Sequence, residues 1–155
     1  MRGASAEDVE IIHALACELA GTVGDSPPGF EAVRARLSEL LEEPQARVLV
    51  AEDDEKIVGA ASLWLKPDLA HGDTVVEVPM LVVAEDHRRE GVGRLLMEEI
   101  QRLAAENGAG LIELVATRKN EPARYFYRSL GFVETEHVTL EFVGDLEAPP
   151  DPEED

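Results

Sequence analysis

One strand-to-helix junction constrains this chain more than any other feature. The apolar run Val78-Pro79-Met80-Leu81-Val82-Val83 passes through Ala84-Glu85-Asp86-His87 into Arg88-Arg89-Glu90-Gly91-Val92-Gly93-Arg94, and Leu95-Leu96-Met97 then opens a helical pattern. A buried strand thus delivers the backbone into an Arg- and Gly-rich turn at a helix N-terminus. The first amides of a helix have no partner inside it, and its dipole is positive at that end. Glycines there let the backbone approach a bound group closely. The junction is therefore a candidate binder of phosphate or pyrophosphate.

The periodicity on either side places this junction in an α/β chain. Val9, Ile12, His13, Leu15, Ala16 and Leu19 recur at helical spacing, so 6–20 reads as an amphipathic helix, with Ser5 as N-cap and Asp8 in a capping-box relation to it. A Gly- and Pro-rich loop, 21–29, leads to a second helix over 30–43. Segments 47–52 and 56–65 read as strands of a hairpin joined by Asp53-Asp54-Glu55; 66–73 reads as a loop and 74–83 as a third strand. A helix over 92–107, with Leu95, Leu96, Ile100, Leu103 and Ala104 inward and Gly108 past its end, connects that strand to another over 111–116. Strands joined by a helix run parallel, with a right-handed crossover. A short helix over 122–130 ends at Gly131, and 132–143 reads as a final extended segment. Pro79 is the misfit, because proline removes a ladder hydrogen bond from a central strand. A bulge there, or divergence from the neighbouring strand, resolves the conflict.

Composition narrows the functions open to such a chain. With 155 residues, 45% of them hydrophobic, it reads as a single domain over 1–143 with a real core. The Pro- and acid-rich tail 144–155 is expected to be disordered. No apolar run is long enough to cross a bilayer, and Glu7, Asp8, Glu10 and Glu18 interrupt any leader-like core, so a cytoplasmic location is expected. The net charge of −19 disfavours nucleic acid and anionic membranes as partners. Against it Arg88, Arg89 and Arg94 stand out as a local basic cluster. Cys17, the lone cysteine, reads as a core thiol. His13, His87 and His137 show no metal-ligand spacing, so no metal is expected.

At these residues a resemblance emerges. Arg88-x-x-Gly91-x-Gly93, after a strand and before a helix, resembles the acyl-CoA-binding motif of the GNAT superfamily of N-acetyltransferases. Asn120-x-x-Ala123-x-x-x-Tyr127-x-x-x-Gly131-Phe132 is similar to that family's second motif. The resemblance spans roughly 6–142. It implies a mixed, mostly antiparallel sheet flanked by helices, with a splayed central parallel pair formed by 74–83 and 111–116. It implies acetyl-CoA as co-substrate, with the pantetheine arm in the splay on backbone groups of Leu81 and Val83. The amides of Arg88, Arg89, Glu90, Gly91, Val92, Gly93 and Arg94 would hold the pyrophosphate, and Asn120, near Ala123, would meet the cofactor through its side-chain amide. Tyr127 would protonate the departing thiolate. The expected partner is a small-molecule or peptide amine. The region after Phe132 is short for the family, where it shapes the acceptor pocket or a dimer contact, so a homodimer stays open.

Acetyl transfer to an amine needs little else. A base or water chain must take a proton from the amine, and an amide such as that of Leu81 or Val82 is a candidate donor to the oxyanion. Glu77, charged within an apolar strand, is the candidate base; by simple alternation it shares a face with Pro79, Leu81 and Val83. An ion pair or a solvated position is the competing reading of Glu77. His71 is a weaker candidate for the acceptor site. Gly91-x-Gly93 with Glu113 downstream has an outward likeness to a dinucleotide fingerprint, but Leu96 occupies its third glycine position. No Gly-x4-Gly-Lys-Ser/Thr run is present. The remaining alternative to the enzyme is a non-catalytic acyl-CoA-binding regulator of the same fold.

Overall fold

Alternation along the strands and a single helical crossover generate the architecture. The computed structural model describes residues 1–148. Strand β1 (Arg2–Gly3) and a single 3-10 turn (Ala6–Asp8) precede α1 (Val9–Val23) and α2 (Phe30–Glu42). Then follow β2 (Ala46–Asp53), β3 (Lys56–Asp68), β4 (Asp73–Val83), a 3-10 turn at Glu85–His87, α3 (Val92–Glu106), β5 (Ala109–Glu113) and α4 (Glu121–Ser129). The five strands form one sheet in sequential order. β1 to β4 pair antiparallel, and β4 pairs with β5 in parallel across the α3 crossover. This is the mixed, mostly antiparallel sheet expected.

Each sheet face buries its own core. On one, Leu63, Val76 and Val78 meet Leu96, Met97 and Ile100 of α3. On the other, Val50, Ala60 and Val82 meet Ile12, Leu15 and Leu37 of α1 and α2. Complete removal of such aliphatic side chains from water is worth about 1.5–3 kcal/mol each, so the two faces, rather than helix propensity, hold the layers together.

The structure corrects several boundaries. Asp54 and Glu55 both have positive φ (51° and 65°), so the first hairpin closes on two residues, the pattern that matches strand twist. β3 extends to Asp68, so Lys66, Pro67 and Asp68 belong to a strand rather than a loop. Leu95 is 56% exposed, and Met97 takes the inward place expected of it, because Gly93, Leu96, Met97, Ile100 and Ala104 define the helix face that is buried. Segment 132–143 forms no strand. A ladder needs a neighbour, and Val133, Val138, Leu140 and Phe142 lie exposed with no strand beside them among the described residues. Of the tail, 145–148 make a turn closed by Ala148 N–H donating to Asp145 O at 3.1 Å, and 149–155 lie outside the described residues.

Asp8 ties the N-terminus to α1. Its carboxylate accepts from the Ser5 backbone N–H at 2.8 Å and from both terminal nitrogens of Arg2 at 2.9 and 3.0 Å. The Arg2 bonds hold the Asp8 carboxyl below its ordinary range. A depressed carboxyl stabilises the fold above its unfolded pKa of about 3.9, and that contribution is lost as pH falls through the lower folded value. Asp8→Ala should therefore cost about 1–3 kcal/mol at pH 7 in urea denaturation, as for hydrogen bonds to a charged group. The difference from wild type should shrink below pH 4; a constant difference down to pH 2 would assign the effect to packing.

Candidate functional site

The splay expected from sequence begins where the β4–β5 ladder stops. Pairing runs only from Thr74↔Ala109 to Glu77↔Glu113. Beyond Glu77, β4 continues to Val83 against β3 alone. Alternation fixes which backbone groups are free. Ala84 N–H donates to Val58 O at 2.8 Å, so Val82 and Met80 also direct their N–H and C=O groups toward β3. Leu81 and Val83 direct theirs to the open side. The Arg88 side chain confirms this direction, because its Nε donates to Val83 O at 3.3 Å. Of the two candidate oxyanion donors, Leu81 has its amide on the open edge, and Val82 has its amide in the ladder.

Pro79 sits at a bulge. Ser62 pairs with Met80 but Trp64 pairs with Glu77, so β4 carries one more residue than β3 across this step. The extra residue reverses the facing of β4. Val76 and Val78 face α3 before it; Leu81 and Val83 face α3 after it, while Met80 and Val82 face α1 and α2. Glu77 therefore shares a face with Met80 and Val82, not with Leu81 and Val83. Its carboxylate is ion-paired with Lys66 of β3, and this bond raises the Lys66 pKa above its ordinary value, with a smaller contribution from the charge of Glu113. His71, expected as a weak acceptor candidate, is exposed and bonded to Asp68 at 2.5 Å.

The open edge leads directly into the Arg/Gly turn. Arg89 (φ 67°) and Gly91 (φ 85°) both adopt the left-handed conformation, and Gly91 is the N-cap of α3. Left- and right-handed residues in series turn successive N–H groups toward one concavity, a geometry that receives anions. The amides of Val92, Gly93 and Arg94 follow at the positive end of the helix. Arg89 and Arg94 are exposed and form no ion pair among the described residues. The Glu90 carboxylate bonds His87 Nδ1 at 3.1 Å. Asp53, His87 and Glu90 bring ligand-type atoms within 4.8 Å of one another, a convergence of two segments that sequence spacing did not reveal. Two of the three are exposed, and the His87–Glu90 bond accounts for the contact within the turn.

The second motif closes the other side. Asn120 caps α4, its Oδ1 accepting from Ala123 N–H at 3.3 Å, and its side-chain NH2 bonds no other described residue. Tyr127 packs on the α3-side core, in the cluster that holds Leu81, Val83, Val92 and Leu114. Its ring makes edge contacts with Phe126 and Phe132 at centroid distances of 5.2 and 5.7 Å. Burial pushes its phenol pKa above the ordinary value of 10, so the hydroxyl keeps its proton through neutral and mildly alkaline pH. That hydroxyl makes no hydrogen bond to another described residue. Gly93 is a packing glycine too: a methyl group there would lie 2.9 Å from Phe126 Cζ. Cys17 is half-buried beside His13, at 3.4 Å, and Pro28 O. Among the described residues no helix is long and apolar enough to cross a membrane.

Comparison with known proteins finds relatives of the sequence and of the fold. The model of the acetyltransferase (GNAT) family matches residues 12–132. The aminoalkylphosphonate N-acetyltransferase of Salmonella typhimurium is 30% identical over 132 residues, which are 85% of this chain and 83% of that protein. A putative [ribosomal protein bS18]-alanine N-acetyltransferase of Bacillus subtilis is 28% identical over 93 residues, 60% of this chain and 58% of that one. The crystal structure of a transcriptional regulator from Bacillus halodurans C-125 superposes with a TM-score of 0.80 at 25% identity, covering 91% of this chain and 96% of the other.

Proposed function

This chain belongs to the acetyltransferase (GNAT) family and is an acyltransferase; on that premise we propose that it moves an acetyl group from acetyl-CoA to a primary amine by direct transfer. The observation that carries the proposal is the open edge of β4. Leu81 and Val83 turn their N–H and C=O groups away from β3, Val83 O alone being engaged, by Arg88 Nε, along a line that ends in the anion-receiving turn Arg88–Arg94. A chain of amides ending in a pyrophosphate satisfies both features at once, since the arm supplies the missing ladder partners and the turn receives the charge. Acetyl-CoA supplies the acetyl thioester. The relatives named above carry the names of acetyltransferases for amines of different kinds, an aminoalkylphosphonate in one case and the alanine of a ribosomal protein in the other, which supports an amine as acceptor.

The residues divide the work as follows. Asn120, through its side-chain NH2 group, and Ala123 border the arm. The Leu81 N–H donates to the carbonyl oxygen as negative charge develops there. The Tyr127 hydroxyl gives its proton to the departing sulfur. Glu77 stands where the splay closes and takes a proton from the amine, directly or through water, once the amine competes with Lys66 for its carboxylate. No side chain acts as nucleophile, so Cys17 has no part in the reaction.

The test is release of free CoA from acetyl-CoA over a panel of amines, with the acetylated product identified by mass. Amine-dependent release supports the proposal; tight acetyl-CoA binding without turnover on any amine class favours the regulator reading. Glu77→Gln refines it. This change keeps the shape and removes the charge. Turnover should fall most at low pH, where neutral amine is scarcest, and CoA affinity should hold. An unaltered pH–rate profile would return Glu77 to its ion pair with Lys66 and assign the proton to another acceptor.

A further inference from the structure

On the face of the sheet opposite α3, a cavity of about 210 Å³ lies between α1, α2 and the strands. Its wall is almost entirely carbon, with Ile12, Ala16, Val33, Leu37, Leu40 and Met80 as the main contributors. Ser62 and Arg36 are the polar members, and Arg36 turns its guanidinium to Glu39 at 2.9 Å. Among the described residues no carboxylate lines it, in a chain of net charge −19. The position is as informative as the lining. Ser62 and Met80 are a cross-strand pair just beyond the bulge, and the next pair, Trp64 and Glu77, marks the point where β4 and β5 come together. An arm lying in the splay with its pyrophosphate on the Arg/Gly turn brings its reactive end to that point. The cavity thus lies on the Glu77 face of the sheet, one cross-strand pair from that point.

We propose that this cavity holds the body of the acceptor, and that the acceptor is a primary amine carrying one uncharged aliphatic or aromatic group. The inference rests on the acetyl-transfer reading and names its substrate class. A second ammonium, as in a polyamine, would enter this cavity with no carboxylate to pair it, and a buried unpaired charge is strongly disfavoured. An anionic amine would meet only Arg36, already engaged by Glu39. An apolar group loses water contact against Leu37, Leu40 and Met80 at no such cost. The volume falls below the roughly 300–1,000 Å³ of sites that take drug-sized ligands. It suits a single phenyl or branched alkyl group and excludes an aminoglycoside ring system.

The test compares 2-phenylethylamine, spermidine and 2-aminoethylphosphonate as acceptors, together with Ala32→Trp. Ala32 lies on the exposed side of α2 at the cavity wall, so a larger side chain can enter the cavity without displacing the core. The expected kcat/KM for 2-phenylethylamine is at least tenfold above the other two. Ala32→Trp should raise its KM at least tenfold and leave the acetyl-CoA Kd unchanged. 2-Phenylethanol, which lacks the amine, should inhibit competitively against the amine in wild type and lose that inhibition in the variant. Equal or better use of spermidine or 2-aminoethylphosphonate would overturn the assignment, as would an unchanged KM in a folded Ala32→Trp protein. Either result leaves acetyl transfer intact. Failure of wild type to bind acetyl-CoA would overturn the transfer reading and this inference together.

Discussion

Tyr127→Phe should lower turnover about a hundredfold while acetyl-CoA affinity stays within twofold of wild type, the low end of the loss expected when a general acid is removed. The substitution deletes one oxygen and keeps the ring. The edge contacts with Phe126 and Phe132, at 5.2 and 5.7 Å, survive it. Because the hydroxyl bonds no other described residue, its loss should barely change thermal stability. Burial holds the phenol protonated, so the wild-type profile should show no break from Tyr127 below its ordinary pKa of about 10. Equal turnover in wild type and variant, with the chemical step rate-limiting, would make Tyr127 a packing residue.

Gly91→Val and Gly93→Val should each weaken CoA binding at least tenfold, about 1.4 kcal/mol, but through different causes. Gly91 has φ 85° and open space around it, so valine there acts on the backbone. A left-handed conformation costs an ordinary residue about 1–2 kcal/mol, and the amides that line the concavity shift to relieve it. Gly93 has an ordinary φ but only 2.9 Å between an added methyl and Phe126 Cζ. Valine there pushes α4 away from α3 and carries Tyr127 with it. Gly93→Val should therefore lower both thermal stability and kcat, and Gly91→Val should act chiefly on affinity. Calorimetric titration of CoA into the folded variants distinguishes them. Wild-type affinity in both would remove the pyrophosphate from this turn.

How much of this was legible in the sequence depended on how local each cause is. The strand, turn and helix at Val78–Leu96 could be read because apolar period, glycine and helix start all fall within one short stretch. The second motif was legible for the same reason, as Asn120 caps the helix that carries Tyr127. Pro79 announced an irregularity, and the structure shows the bulge. What alternation could not supply was the reversal that follows, since one extra residue moves every later side chain to the other face. Simple alternation consequently puts Glu77 on the face of Leu81, whereas it lies on that of Met80. Its partner Lys66 falls in a segment that reads as a loop, and only the β3–β4 register brings the two together. Val133 to Phe142 misled in the opposite sense. Their alternation is a strand pattern, but pattern records propensity, and a strand requires a neighbour. The apolar cavity was invisible because its wall comes from five separate segments, each of which reads as ordinary core.

The most direct test of the central claim is residue-resolved amide exchange with and without CoA. The account places the pantetheine arm along β4 as a substitute strand. Leu81 and Val83 should therefore become protected on binding, together with Val92, Gly93 and Arg94 at the turn. Val82, whose amide already faces β3, should exchange slowly in both states and change little. CoA binding that leaves Leu81 and Val83 unprotected, with protection appearing elsewhere on the molecule, would contradict the account.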